Sequence, residues 1–508
     1  MATLVANQPQ TAEHSVRQFA ASSGGQAALL GLLTLSALAI HGYHPYSEDG
    51  GIYLAAAEHA LHPQLFPHLP QFADAHVTCV FFSRIMAGIA TLTHLSLTWV
   101  FFLAYIVSLY LTLASLHLIL QRCMRSSAAR WCSLLIFTVT MTAPVAGTSI
   151  ITVDPYITSR SLSLPLVLFA IAESLRLQPR WLRIALLLLA GGLLHPLVAA
   201  CGVFLIALTL AFRDSRRYAM AGILGFALLT ALVVHRLAPP ESAAYHQAVL
   251  SRPYWFLTQW SWDEIFGVIA PPIVLLALDR FRPAYLTGTC SDFVRALCLG
   301  GAAVVALNLI FAHPDSGNHL VASLQPLRFF TFLYIFMTLA LGSLLSLLRS
   351  KVPAIVLCAA LAGLMFCVQR STYPSTAHLE LPGRPLSNDW QNVFLWVRDN
   401  TPKDALFAMD ADYNDISGED THLFRSIALR DALPDYSKDG GIAAVKPSIA
   451  GQWADGIRLQ HGLDNMDDAE RIARMKPAGV TWVILSPTAS TRLDCPYLYK
   501  GIRVCRIP

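Results

Sequence analysis

From Gln26 to Val368 the chain is a succession of apolar runs, separated by short loops rich in Arg, Pro or Gly. An α-helix rises about 1.5 Å per residue, so about 20 apolar residues cross a hydrocarbon core of about 30 Å. Leu97 to Leu120 meets that length. The chain as a whole is 55% hydrophobic and 13% charged, against about 25% charged in an ordinary soluble domain. After Arg370 the composition changes, and Asp, Glu, Lys, Arg and Asn return. The expected fold is therefore a polytopic α-helical membrane protein in three parts. These are a cytoplasmic tail (1–25), a transmembrane region (26–370) with a long outer loop at 44–96, and a small extracytoplasmic α/β domain (371–508).

Orientation follows from the arginines. Lys and Arg accumulate in cytoplasmic loops because they resist translocation, and five short loops carry them: Arg122 to Arg130, Arg176 to Arg183, Arg213 to Arg217, Arg280 to Arg295, and Arg349 with Lys351. Placing all five on one side gives about eleven spans, at 26–43, 97–120, 132–148, 161–175, 183–195, 197–212, 218–237, 264–279, 296–312, 328–347 and 352–368. The N-terminus is then inside and the C-terminal domain outside. The first 24 residues are polar, which reads 26–43 as an uncleaved first span. Residues 77–93 (VTCVFFSRIMAGIATLT) are apolar enough to cross. A crossing there would turn the Arg122 to Arg130 loop outward, so a helix lying on the outer interface fits better, with Arg84 at its polar edge. The span 183–195 covers only about 20 Å before Leu194-His195-Pro196. It must be tilted, shielded by protein or set in a thinned bilayer.

The C-terminal domain shows helical spacing of Val393, Phe394 and Val397 within Asp389 to Asn400, and strand patterns at Leu406–Met409 and Val480–Leu485. A further helix is expected over Asp467–Met475, and residues 497–506 read as a hairpin turning near Lys500-Gly501. Centring that turn on Lys500 sets Cys495 opposite Cys505, a disulfide arrangement suited to an oxidising compartment. No basic stripe with interleaved aromatics suggests nucleic acid. No Cys-x-x-Cys pair suggests zinc or thioredoxin chemistry, and no glycine loop suggests a nucleotide.

Chemistry is sought where polar residues interrupt the outer loops. The first loop carries Glu48-Asp49, two adjacent carboxylates beside Gly50-Gly51, flanked by Tyr46 and Tyr53. Such a pair at a membrane surface is electrostatically costly unless one is protonated, metal-bound or exposed. Asp49 reads as a catalytic base, as a helix cap, or as both. The glycines read as room for a sugar beside the carboxylates. The second loop supplies Asp154-Pro155-Tyr156 and Arg160, where Asp154 is either a turn former or a second acidic group on the same cavity. Arg160, Arg252 and Arg328 are the outward minority among the arginines. Arg328, in Gln325-Pro326-Leu327-Arg328, suits a phosphate that a guanidinium grips with two parallel hydrogen bonds, or else snorkels to a headgroup. His195 reads more readily as a satisfied structural group than as a ligand. The aromatic stretch Tyr254-Trp255-Phe256 to Trp262 reads as an interfacial belt or a wall for a sugar ring.

Taken together, Glu48-Asp49, the helix from Gly51 to Leu61, Asp154-Pro155, His195-Pro196 and Gln325-Pro326-Leu327-Arg328 resemble the GT-C superfamily of membrane glycosyltransferases. The closest likeness is to a bacterial branch with a first loop of this type and a small α/β tail. The resemblance implies a multi-pass protein of the bacterial inner membrane that takes a polyprenyl-phosphate-linked sugar among membrane lipids. It would pass that sugar, with inversion, to a glycan, lipid or protein acceptor at the outer face. Asp49, or Glu48, would be the base. Arg328, with Arg252 or Arg160, would stabilise the lipid phosphate; Tyr53, His195 and Gln325 would line the substrate site; and Asp154, with Asp49, would assist through a divalent metal, Mg or Mn, where the enzyme uses one. The acidic pair is Glu-Asp, where many relatives show Asp-Asp or Asp-Glu. The rival classes are a transporter or lipid flippase, and a non-catalytic scaffold with the same fold whose outer domain is a binding module. The transporter is disfavoured by span interiors nearly free of charge.

Overall fold

The computed structural model describes residues 22–74, 80–281, 283–415 and 423–508. Among the described residues up to Thr372 the chain is mostly helical, and each of the eleven expected spans overlaps a helix. Seven helices are long and apolar enough to cross a membrane: Ser23–His41, Leu97–Cys123, Pro196–Arg213, Arg217–Leu237, Gly288–Phe311, Leu320–Leu347 and Val352–Thr372. The other four fall short for separate reasons. Ser127–Val139 and Trp181–Leu194 are apolar but have only 13 and 14 residues, about 20 Å of rise. Ser159–Ser174 has 16 residues. Trp262–Phe281 carries Asp263 and Glu264 in its first turn and Arg280 in its last. The expected span at 132–148 is the largest misfit. Its helix stops at Val139, and the chain beyond turns back through Pro144, which pairs with Ile151 in an isolated bridge.

The outer surface of the helical region is apolar, as a chain compatible with a membrane requires. Arg217–Leu237 buries only Ala231 among its side chains, while Phe226, Leu229 and Leu237 face outward. Phe82–Thr93 has 12 residues, about 18 Å of rise, and cannot cross a bilayer. It turns Phe82, Met86 and Ala90 into the core and leaves Ile85, Ile89 and Leu92 exposed, the division expected of a helix resting at an interface. Residues 77–79 of that expected element lie outside the described residues.

Leu97–Cys123 sets the vertical scale, because its 27 residues rise about 40 Å. Near its start the Tyr105 hydroxyl donates to the Gly42 carbonyl (3.2 Å). At its far end Met124 pairs with Leu286, and the Thr287 hydroxyl donates to the Arg122 carbonyl (2.8 Å). The basic loop at Arg122–Arg130 therefore lies at the opposite end of the helices from the first loop and the C-terminal domain.

The C-terminal domain builds one five-stranded sheet from β1 (Leu406–Ala408), β2 (Asp431–Ala432), β3 (Trp482–Leu485), β4 (Tyr497–Tyr499) and β5 (Ile502–Arg506), in the order β2-β1-β3-β5-β4. β1 runs parallel to β2 and β3, while β5 is antiparallel to β3 and β4. The hairpin is closed by Lys500 and Gly501, both with positive φ (48° and 93°), the backbone of a tight primed turn. Tyr499 pairs with Ile502 and Tyr497 with Val504, one residue off the register centred on Lys500. Cys495 and Cys505 are nevertheless joined by a disulfide. Cys495 precedes β4, so the alternation of the ladder does not bind it. The bridge closes a loop of sequence separation 10, for which chain entropy gives about 2–3 kcal/mol. The double replacement C495S/C505S is expected to lower denaturant stability by that amount. An unchanged unfolding midpoint refutes it.

Candidate functional site

The first loop is stitched in place from three sides. Ser23–His41 ends at Gly42 (φ 79°), where a Cβ would meet the His378 carbonyl at 2.3 Å. Tyr43 then pairs with Leu379 of the C-terminal domain, and the His44 backbone N–H donates to the Pro155 carbonyl of the second loop (2.8 Å). The His44 imidazole contacts the buried Glu380 carboxylate through Nδ1 (3.0 Å). Two loops and a domain are thereby held together at the start of the helix Glu48–Leu61.

That helix carries the acidic pair in its first turn. Ser47, not Asp49, occupies the cap position, and its side chain makes no capping bond. Glu48 sits at φ 51°, a left-handed backbone that costs a non-glycine residue about 1–3 kcal/mol and survives only where surrounding contacts fix it. The contact here is an ion pair between Glu48 Oε2 and Lys438 Nζ of the C-terminal domain. Burial opposes the Lys438 ammonium, but the carboxylates of Glu48 and Asp49 outweigh it and hold its pKa above the ordinary lysine value.

Lys438 is the residue that the sequence reading missed, and a signal for it exists. Tyr436-Ser437-Lys438-Asp439-Gly440-Gly441-Ile442 repeats Tyr46-Ser47-Glu48-Asp49-Gly50-Gly51-Ile52, differing only at the Glu-to-Lys position. Both copies open helices, Glu48–Leu61 and Lys438–Val445. The one position at which they differ carries opposite charges, and those two side chains pair with each other. The glycines of the first copy do not leave room for a sugar. A Cβ at Gly50 would lie 2.8 Å from the Pro45 carbonyl and 3.1 Å from Tyr156 Cβ, and at Gly51 it would meet Tyr46 O and Leu423 Cβ. They allow the second loop and the C-terminal domain to close on the helix.

Asp154 is buried and gripped by Arg160, whose Nη2 donates to both carboxylate oxygens (2.6 and 2.5 Å). The grip is set by a capping box: the Thr158 side chain accepts from Ser161 N, and the Ser161 hydroxyl accepts from Thr158 N. This fixes Arg160 in the first turn of Ser159–Ser174, facing back into the loop. Burial pushes the Asp154 carboxyl above its ordinary value, with Arg160 pulling the other way and Asp49 adding to the push. Tyr53 is buried, its hydroxyl 2.7 Å from Ser159 Oγ.

Arg328 approaches from the third side. Gln325 (φ 49°) turns the chain into the short helix Pro326–Phe329, anchored by buried Leu327 and Phe329. A small pocket lies here, lined by Thr148, Tyr254, Trp255, Asn308, Gln325 and Arg328. Buried in the protein, Arg328 Nε, Gln325 Oε1 and Trp255 Nε1 have no hydrogen-bond partner among the described residues. Two unpaired donors and one acceptor are costly to leave so, and the donors suit an anion. The charges of Asp49 and Arg160 both act on Arg328, and that of Arg328 on Asp154. Asp49, Asp154, Arg160 and Arg328 thus share one electrostatic neighbourhood.

The remaining expected residues stand elsewhere. Arg252 is buried against the C-terminal domain, donating through Nη2 to the Tyr436 carbonyl (2.6 Å) with its guanidinium 5.9 Å from that ring. Its observed contact is a clamp on the repeat that carries Lys438. His195 joins Trp181–Leu194 to Pro196–Arg213, its Nδ1 accepting from Val198 N (3.3 Å) as a helix cap. Arg160 holds one lone pair on each oxygen of Asp154. Among the described residues the cluster with metal-ligating geometry is a different one, Glu241, His246 and His319. No protein-family model matches the chain, and no curated protein matches it.

Proposed function

We propose that the protein is a GT-C type glycosyltransferase of the bacterial inner membrane. It moves a sugar from a polyprenyl-phosphate carrier to a glycan, lipid or protein acceptor at the outer face. The observation that carries this reading is the shared neighbourhood of a part-exposed carboxylate, Asp49, and a guanidinium whose Nε is buried and unpaired, Arg328. In the proposed reaction Asp49 removes the proton from an acceptor hydroxyl as its oxygen attacks the anomeric carbon from the face opposite the phosphate. The bond from that carbon to the phosphate oxygen breaks, and Arg328 stabilises the charge left on the lipid phosphate. Asp49 is taken as the base because its charge acts on Arg328, and Lys438 ion-pairs with Glu48. Asp154 with Asp49 would hold Mg or Mn beside Arg160, and no step is routed through a metal.

Mass spectrometry of envelope glycans and lipid-linked sugars, with and without the gene, tests the reading. Loss of one glycan substituent with accumulation of a polyprenyl-phosphate sugar supports it; identical profiles reject it. A second reading, a non-catalytic scaffold, is favoured by the Glu48–Lys438 clasp, which occupies half of the acidic pair.

The proposed topology has eleven crossings, with the basic loops inside. Single cysteines at Asp74 and Asn400 are expected to react with an impermeant maleimide from outside, and those at Arg125 and Arg216 only after permeabilisation. Labelling of the Arg125 loop from outside would overturn the topology.

A further inference from the structure

A second cluster lies away from the acidic pair, where the segment after Arg217–Leu237 meets the segment after Gly288–Phe311. Glu241 precedes the helix Ala243–Leu250, His246 lies within it, and His319 opens the short helix Leu320–Ser323. Glu241 Oε1 accepts from the His319 backbone N–H (2.6 Å). Glu241 Oε2 lies 2.8 Å from His319 Nδ1 and 3.7 Å from His246 Nδ1. One ligand atom from each of the three falls within 4.8 Å of the other two.

The contacts of His319 are the informative point. Its Nε2 lies 3.1 Å from the Pro314 carbonyl. A carbonyl only accepts, so Nε2 carries the hydrogen. A neutral imidazole has one N–H, which leaves Nδ1 as a lone pair facing the carboxylate oxygen of Glu241, also an acceptor. The His319 side chain has 0% exposure and that of Glu241 8%. Two acceptors held this close and this dry need a proton or a cation between them. Either satisfies the pair, and the His246 nitrogen turned toward the same oxygen offers a cation its third ligand. The Pro314 carbonyl is then an outer partner, which fixes the tautomer of a ligating histidine.

We propose that Glu241, His246 and His319 bind a divalent cation of the zinc class, with a fourth position left for water. Two imidazole nitrogens and one carboxylate oxygen match three-ligand zinc sites. Tetrahedral bonds of about 2.0–2.1 Å put ligand atoms about 3.4 Å apart, between the 2.8 and 3.7 Å seen here. The ion would brace two segments that also reach the Arg328 cavity. Tyr254 and Trp255 follow one ligand pair, Gln325 follows His319, and Asn308 Nδ2 donates to the Trp255 carbonyl (3.0 Å). Helix Ala243–Leu250 packs in turn on the C-terminal domain, where Tyr245, Ala248 and Val249 share a core with Ala443 and Trp453. Zinc here is a fastener for the outer face, and its binding does not depend on the glycosyltransferase reading.

The test uses the full chain, purified in detergent without a histidine tag and titrated with ZnCl₂ after chelation. The wild type is expected to retain about one zinc per chain and to melt several degrees lower after chelation. It should also give the visible absorption of tetrahedral Co²⁺ when cobalt replaces zinc. H246A, chosen because that side chain is 42% exposed, should weaken zinc binding about 100-fold or more without unfolding the protein. E241Q should also weaken it, and H313A, altering a half-buried histidine of the same loop, should not. Equal zinc affinity in the wild type and H246A overturns the proposal. So does a wild-type melting temperature that follows pH but ignores zinc, since the cluster is then an imidazolium–carboxylate pair.

Discussion

Asp49→Asn is expected to lower transfer from a polyprenyl-phosphate sugar by about 10²–10⁴-fold, the usual contribution of a positioned general base, while the protein folds and inserts as before. The substitution keeps the shape of the side chain and removes only its charge and basicity. Asp49 lies in the first turn of Glu48–Leu61, where a negative charge contributes about 0.3–1 kcal/mol through the helix dipole. Losing that much does not unfold a domain. Glu48→Gln, in contrast, breaks the ion pair with Lys438. Its side chain is 38% exposed but that of Lys438 only 16%, so the expected cost lies between the about 1 kcal/mol of a surface pair and the about 3–5 kcal/mol of a buried one, with turnover largely kept. The two neighbours thus separate by kinetics: one change removes the proton acceptor, the other loosens a domain contact. Near-wild-type turnover in Asp49→Asn would reduce the acidic pair to a structural device and remove the proposed mechanism. An equal loss in both variants would assign the effect to closure of the C-terminal domain on the first loop.

The parts of the fold that were legible in the sequence are those governed by local chemistry. Apolar runs such as Leu97–Leu120 read as helices because burial and backbone satisfaction in an apolar medium leave little choice. The helix Asp389–Asn400, the strand around Val483 and the Lys500-Gly501 turn were visible for the same reason, since period and turn residues are properties of a few consecutive positions. What was hidden depends on pairing across long separations. Nothing near Glu48 indicates a partner 390 positions away; only the recurrence of Tyr-Ser-x-Asp-Gly-Gly-Ile does so, with the charge inverted at one place. Gly50 and Gly51 were misread for a related reason: a missing side chain looks the same whether a ligand or a neighbouring chain fills the space. His246 and His319 lack the tight spacing that marks a metal motif, because their segments come together only through the packing of separate helices.

Asp154 was legible as a polar interruption but not as a partner, and this difference has the second large consequence. Its side chain is 3% exposed and that of Arg160 13%, so removing one partner leaves an uncompensated charge in a dry site. Asp154→Ala is accordingly expected to cost about 3–5 kcal/mol of stability, read as a lowered unfolding midpoint in detergent. Replacing both members by apolar residues of similar size, Asp154→Leu with Arg160→Met, is expected to recover most of that loss, because a buried pair is stabilising chiefly relative to its own broken form. The double variant then reports on function. Arg160 and Asp154 both act on the electrostatics of Arg328 or are acted on by it, so a stable but inactive double variant would assign the pair to the field that the departing phosphate meets. A double variant that is both stable and active would make the pair a brace for the second loop. If Asp154→Ala alone shifts stability by less than about 0.5 kcal/mol, within the range of ordinary surface changes, Asp154 and Arg160 do not form the buried pair on which the site depends.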